Sequence, residues 1–292
     1  MNEKKHAAVG VQVCTMLFGL SAVIAKDLSL PASTIVAGRA LWAAISLGLL
    51  VILFRRNDWN RLSLRETGHL LINGALLAGH WLCFFYGIVE GGVAVGTLGF
   101  ASFPVFVSLL EKTFFNKPIT PLKVWCTALI AAGLLIISPD IFDSSQLGSG
   151  LAWSLAAGFS YALIVLYNRH TASNASSIQA SFIQFISCAT VTFPWGYSSL
   201  ISIDYTNFLG LMLLGVICTA VAYTFLIFAI KKVEAGKAAI IISLEPVWAI
   251  FFAAIWLHEV PTIQTFIGGS MVISAVIISS RESLSDQSGQ RS

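Results

Sequence analysis

Ten apolar runs, separated by short charged or proline-containing connections, take up nearly the whole chain. They fall at about 7–26, 32–54, 67–89, 92–111, 119–138, 149–168, 176–200, 207–230, 236–257 and 261–280. A helix needs roughly 20 apolar residues to cross the hydrocarbon core of a bilayer, and each run is close to that length. Only 11% of the 292 residues are charged, against 57% hydrophobic, where a soluble domain carries roughly 25% charged residues. So few solvated groups cannot cover a water-facing surface. The longest connections, Arg55–Glu66 and Pro139–Gly148, are too short to fold alone. A large soluble enzyme is excluded, and so is a small soluble domain on a single anchor. The expectation is an all-α polytopic membrane protein of ten transmembrane helices. The polar residues 282–292 read as a disordered cytoplasmic tail. The apolar run after His6 reads as a retained first helix, because no convincing small-residue cleavage site precedes Lys26.

The basic residues orient these spans. With the N-terminus cytoplasmic, one side receives Lys4, Lys5, Arg55, Arg56, Arg61, Arg65, Lys112, Lys117, Lys123, Arg169, Lys231, Lys232, Lys237, Arg281 and Arg291, which is 15 of the 17 Lys and Arg. Lys26 and Arg39 alone remain toward the other side. Such a bias places both termini in the cytoplasm. It also explains the net charge of +3 without a nucleic-acid partner, since the basic residues form no single patch. Five cysteines lie inside apolar runs with no CxxC or Cys/His spacing, which suggests buried thiols. Nothing resembles a P-loop, a catalytic triad or a metal motif, so no catalytic residue, metal or cofactor is expected.

The two halves match each other. Gly87–Thr120 aligns with Ala229–Thr262, which pairs Pro104 with Pro246 and Pro118 with Pro261. Leu134–Ser138 likewise resembles Ala275–Ser279, and Phe18–Ala22 sits against Phe159–Ala162. Five spans per half is an odd number, so the second half must enter the membrane from the opposite side. The expected units are a first five-helix repeat at 1–145 and an inverted second repeat at 146–281. Inverted repeats of this kind characterise secondary transporters.

The stretch Tyr223–Glu259, YTFLIFAIKKVEAGKAAIIISLEPVWAIFFAAIWLHE, carries an aromatic-rich span, a basic turn, small residues, Leu-Glu-Pro and a closing Glu. It resembles the signature of the EamA branch of the drug/metabolite transporter superfamily. Phe18–Lys26 (FGLSAVIAK), Gly38-Arg39 and Ser154–Arg169 agree with that resemblance, which covers essentially the whole chain. It implies a ten-helix, five-plus-five carrier, usually a bacterial inner-membrane exporter of amino acids or related metabolites. One departure stands at the end of span four, where Asn116-Lys117 replaces the usual Gly-Glu pair.

Candidate substrate contacts come from the polar and aromatic residues within the spans. Pro104 and Pro246 stand mid-span in equivalent helices and are expected to kink them, freeing the carbonyls of Phe100 and Ile242. Interrupted helices at matching places in two halves point to a transport site, although such kinks also serve packing alone. Glu245 is the only acidic residue deep within a span. A carboxylate at that depth must face a cavity, pair or be protonated. It serves equally as a partner for a substrate ammonium, as a carrier of a coupling proton, or as a hydrogen-bond donor to a freed carbonyl.

Arg39 is suited to clamping a substrate carboxylate bidentately. Its depth fits better with snorkelling outward, or with pairing to Asp27, Glu90 or Glu259. His80, Trp81 and Phe84 share span three, with His80 and Phe84 on one face. Tyr223 is the approximate repeat counterpart of His80, and its hydroxyl is expected opposite it. In span six Trp153, Ser160, Tyr161 and Asn168 share a broad face, with Trp153 placed better for an interfacial belt. Aromatic walls with few polar groups suit a small amphipathic ligand. The small residues Gly92, Gly96, Gly99 and Ser102 are expected to let span four pack closely on a neighbour, and Gly268-Gly269 to do so within the bundle or at a dimer contact.

Together these readings predict a multi-pass secondary transporter working by alternating access, with small-molecule substrate and lipid bilayer as partners, proton coupling as an option, and a monomeric or homodimeric state. The rivals are an importer or exchanger of another small organic solute, a drug efflux carrier and, more remotely, a membrane-embedded lipid enzyme. The last would need clustered His, Asp or Cys groups near one interface, and the sequence has none.

Overall fold

The computed structural model describes residues 2–54, 59–116, 118–137, 145–171, 174–230, 242 and 244–289, and these contain helices and no strand. In chain order they are α1 (Asn2–Asp27), α2 (Ala32–Phe54), α3 (Leu64–Phe100), α4 (Phe103–Phe115), α5 (Pro121–Ile137), α6 (Ser145–His170), α7 (Ser177–Ile201), α8 (Tyr205–Gly215), α9 (Ala222–Ile230), α10 (Glu245–Trp256) and α11 (Ile263–Gly289). A π-helical turn, Val216–Val221, joins α8 to α9. Five stretches are long and apolar enough to cross a bilayer: Val9–Asp27, Ala32–Leu53, Leu64–Phe100, Gly148–Tyr167 and Tyr205–Leu226. Shorter apolar helices cover Pro121–Ile137, Glu245–Trp256 and Ile263–Ile278. Arg55, Arg56, Lys117, Lys231, Lys232, Lys237 and the start of the ninth expected span lie outside the described residues.

Local signals set the helix starts. Ser63 accepts the Glu66 N–H at 3.2 Å while the Glu66 carboxylate accepts the Ser63 N–H at 2.8 Å. This reciprocal pair satisfies two of the donors that a helix start leaves open. Asp204 caps α8 by accepting the Asn207 N–H at 2.7 Å. These caps open the third and eighth expected spans.

The hydrogen-bonded run of α3 conceals a sharp turn. Gly92 has φ 82 and ψ 168, a conformation open in practice only to glycine. A Cβ on Gly96 would lie 3.0 Å from the Ile88 Cα, whereas a straight helix would separate these residues by about 12 Å. The chain doubles back at Gly92, between the third and fourth expected spans. A short half-helix, Val93–Phe100, follows, then a turn at Ala101-Ser102, and then α4.

Here the expectation of mid-span kinks is corrected. Pro104 and Pro246 each occupy the first turn of a new helix, α4 and α10. In that position the missing proline N–H removes no intrahelical bond. Pro104 therefore marks a restart after Val93–Phe100, and Pro246 opens α10, rather than either bending a helix from within. The two helix starts correspond closely: Ser102 and Leu244 are N-caps with αR backbones, and the helices that follow end next to left-handed residues, Asn116 and His258, with φ of 52 and 57. Asn tolerates the left-handed conformation, so Asn116 supplies the backbone role for which a glycine is usual.

Small residues let the helices cross closely. A Cβ on Gly150 of α6 would meet the Gly91 Cα at 2.5 Å, and one on Gly99 would meet the Ser154 Cβ at 2.5 Å. The expected row on span four thus divides: Gly92 makes the turn, Gly96 fits against Ile88, Gly99 fits α6, and the Ser102 hydroxyl donates to the Gly99 carbonyl at 2.7 Å. Gly268 of α11 lies against the Gly133 carbonyl of α5, a contact within the bundle. Apolar side chains crowd the outside as well, with Leu53 and Trp195 each 66% exposed. This inside-out distribution fits a lipid surround. One further correction concerns the tail. Residues 282–289, expected to be disordered, continue α11 to Gly289, since each residue added to an existing helix gains a bond without a new nucleus.

Candidate functional site

Helices α1, α2, α3, α6, α9 and α10 converge on a cavity of about 60 Å³. Its walls include all seven residues singled out for substrate contact: Arg39, His80, Trp81, Phe84, Tyr161, Tyr223 and Glu245. Phe18, Ser21, Leu77, Phe100, Leu226 and Ile242 complete the described lining. The helix break at Ala101-Ser102 brings Phe100 to this wall, and the start of α10 brings Glu245.

Arg39 does not snorkel. It is 3% exposed, and its Nε donates to the Thr219 hydroxyl at 3.0 Å. Its Cζ lies 4.1 Å from the Trp81 ring centroid and 5.0 Å from that of Phe85. These ring faces attract the cation, so the side chain is held inward by α3 instead of reaching for water. Among the described residues no carboxylate pairs with it directly, which corrects the expectation of Asp27, Glu90 or Glu259 as partners. The Asp27 carboxylate instead accepts the Trp256 Nε1–H at 3.2 Å. The Arg39 Nη groups have no hydrogen-bond partner among the described residues. They form the open edge of the guanidinium fork.

Glu245 is 6% exposed and is the first residue of α10. The unpaired N–H groups of a helix start favour a negative charge there. Its carboxylate has no hydrogen-bond partner among the described residues, so the expected bond to a carbonyl freed by Pro246 is not formed there. One cavity therefore holds a buried cation and a buried carboxylate with no direct ion pair between them.

His80 is buried, with Nδ1 3.0 Å from the Ala157 carbonyl. A carbonyl only accepts, so Nδ1 carries the proton, and in the neutral ring Nε2 is left as an acceptor. The ring lies 5.2 Å from Tyr161 and 5.3 Å from Phe100, centroid to centroid. Phe100 also contacts Phe84 and Tyr161, joining α3 to α6 in one aromatic wall. Tyr223 reaches the cavity, but its hydroxyl donates to the Gln184 Oε1 of α7 at 2.8 Å, instead of standing free opposite His80. Trp153 stacks on Tyr86 away from the cavity and is 39% exposed. The Asn168 side chain lies outside the described residues.

Thr219, Gln184 and Phe100 escaped the sequence reading. The signal for the first two was a polar side chain inside an apolar run. Nothing in the spacing, however, distinguishes them from a threonine or glutamine bonded within its own helix.

Comparison with known proteins gives three findings. The model of the EamA-like transporter family matches the chain twice, over residues 7–138 and 148–281. Among similar proteins, the uncharacterized transporter YxxF of Bacillus subtilis is 22% identical over 94% of this chain and 90% of its own length. The pseudopaline exporter CntI of Pseudomonas aeruginosa is 27% identical over 92% of this chain and 94% of its own. One crystal structure matches with a TM-score of 0.64 at 12% identity, over 94% of this chain and 97% of that one. At that identity the likeness concerns the fold alone.

Proposed function

The chain belongs to the EamA-like transporter family, a family of membrane transporters, and from that premise we propose that it carries a small amino-acid-like metabolite by alternating access, as an exporter in the inner membrane of a bacterium. The observation that carries this reading is that one cavity, walled by aromatic rings, holds both Arg39 and Glu245 with no direct ion pair between them. A zwitterion offers a carboxylate to the guanidinium fork and an ammonium to the carboxylate, and each match relieves a buried charge. The aromatic walls take the apolar part of the ligand.

At about 60 Å³ the cavity has room for only a few water molecules. A metabolite enters when the surrounding helices separate, as alternating access requires. The matching helix starts at Pro104 and Pro246 support two inverted five-helix repeats with the cavity between them. Export is the direction that CntI's name carries for that relative.

The test is counterflow in proteoliposomes of purified protein, screening the twenty L-amino acids and their decarboxylated amines. Accumulation of at least one amino acid, and of no amine, is expected. Flux of the amines alone would reject the zwitterion reading. A second reading, prompted by the CntI relative, is transport of pseudopaline itself, and the same assay with that compound separates the two. The ten-span topology, with both termini cytoplasmic, predicts that Val260→Cys reacts with an impermeant thiol reagent from outside intact cells while Leu64→Cys does not. The opposite labelling would overturn the orientation.

A further inference from the structure

We propose that Thr219, presented by the π-helical turn between α8 and α9, is the positioning residue that aims Arg39 at a substrate carboxylate. The proposal rests on the zwitterion reading above and adds to it the residue that sets the fork's direction.

Three contacts locate the guanidinium. The rings of Trp81 and Phe85, both on α3, confine it from their faces at 4.1 and 5.0 Å. Ring faces restrain the plane of the cation but leave it free to turn within that plane. The Nε bond to Thr219, at 3.0 Å, removes that freedom. It engages the one N–H beside the side-chain stem and leaves the Nη edge toward the cavity, the edge that grips a carboxylate in a two-pronged fashion.

The turn is what brings the hydroxyl there. Within Val216–Val221 the Thr219 hydroxyl donates to the Leu214 carbonyl, five residues back, at 2.8 Å. Its proton is therefore committed to its own helix, and a lone pair is left for the Arg39 Nε–H. In an unbroken α-helix the extra residue in this turn would be absent. The side chain at 219 would then point about 100° away around the axis, as the 3.6-residue repeat demands. Single π-turns inside α-helices often mark functional sites. Close approach completes the arrangement: a Cβ on Gly215 would meet the Arg39 carbonyl at 2.7 Å and the Trp42 Cβ at 2.5 Å. Glycine thus seats α8 directly against the α2 backbone at Arg39, so both partners of the Nε bond are placed by the same helix crossing.

The experiment compares wild-type protein with Thr219→Val, which keeps the shape and loses the acceptor, and Thr219→Ser, which keeps the hydroxyl. Binding of the twenty L-amino acids and of their carboxamides is measured by intrinsic tryptophan fluorescence in detergent. The wild type is expected to prefer at least one acid over its amide. Thr219→Val should lose about tenfold in affinity for that acid, equivalent to about 1.4 kcal/mol, with affinity for the amide unchanged. Thr219→Ser should stay within about twofold of wild type for both. Thr219→Ala replaces the valine variant, under the same criteria, if the latter does not purify as a monodisperse species. A valine variant that keeps the acid preference, or that weakens acid and amide alike, overturns the positioning role while leaving the zwitterion reading intact. Failure of the wild type to distinguish any acid from its amide overturns that reading, and this proposal with it.

Discussion

Replacing Arg39 by lysine is expected to lower kcat/KM for the transported amino acid by about a hundredfold, or about 2.7 kcal/mol, in protein that inserts normally. The charge is conserved, so simple neutralisation of the cavity is not what is tested. Lysine loses the Nε bond to Thr219 and the flat face that rests on Trp81 and Phe85. It also loses the paired donors that match a carboxylate geometrically. Truncating one partner of a buried, hydrogen-bonded charge costs about 2–5 kcal/mol, and the lower part of that range applies because lysine still offers a point charge. Initial rates in proteoliposomes at varied substrate concentration give the number. A rate within about threefold of wild type would mean that Arg39 only braces α2 against α3, and that the carboxylate is held elsewhere.

Glu245→Gln is expected to abolish acceleration of transport by a pH gradient while substrate counterflow persists. Glutamine keeps the size and the hydrogen-bonding capacity of the side chain but exchanges no proton. If Glu245 carries the coupling proton, its carboxylate binds the substrate ammonium and then accepts a proton from the receiving side as substrate leaves. A gradient that is acidic on the receiving side should therefore speed the wild type and leave the variant unaffected. Exchange of substrate for substrate needs no net proton movement, so counterflow survives with weaker affinity. Should the wild type ignore the gradient, or the variant still respond in full, Glu245 is a binding or structural group and proton coupling lies elsewhere.

Much of the molecule was legible before any coordinates. Bilayer thickness imposes a length on every apolar run, and the absence of water within it imposes helix. The helical architecture follows from these constraints. The seven cavity residues were legible for a related reason. Titratable and polar groups are costly against lipid, so His80 and Glu245 turn inward, and aromatic neighbours at helical spacing accompany them. The family resemblance rested on the same local patterns.

What the sequence could not determine depends on groups distant along the chain. Depth alone favours Arg39 reaching out to water, whereas the structure turns it in to Trp81. Both choices satisfy the charge, and only the packing of α3 across α2 places two ring faces under it. A proline inside an apolar run is locally indistinguishable from one opening a new helix, so the sequence predicts kinks where the structure has helix starts. The turn at Ala101-Ser102 and the helix start at Leu244 depend on how α4 meets α6 and how α10 meets α1. The π-turn leaves no mark in composition, since one extra residue in a helical turn is stabilised by tertiary contacts, here Gly215 against α2 and Thr219 against Arg39. Hydrophobic periodicity records how far each residue lies from lipid. Which partner waits on the inner side is decided only when the helices pack.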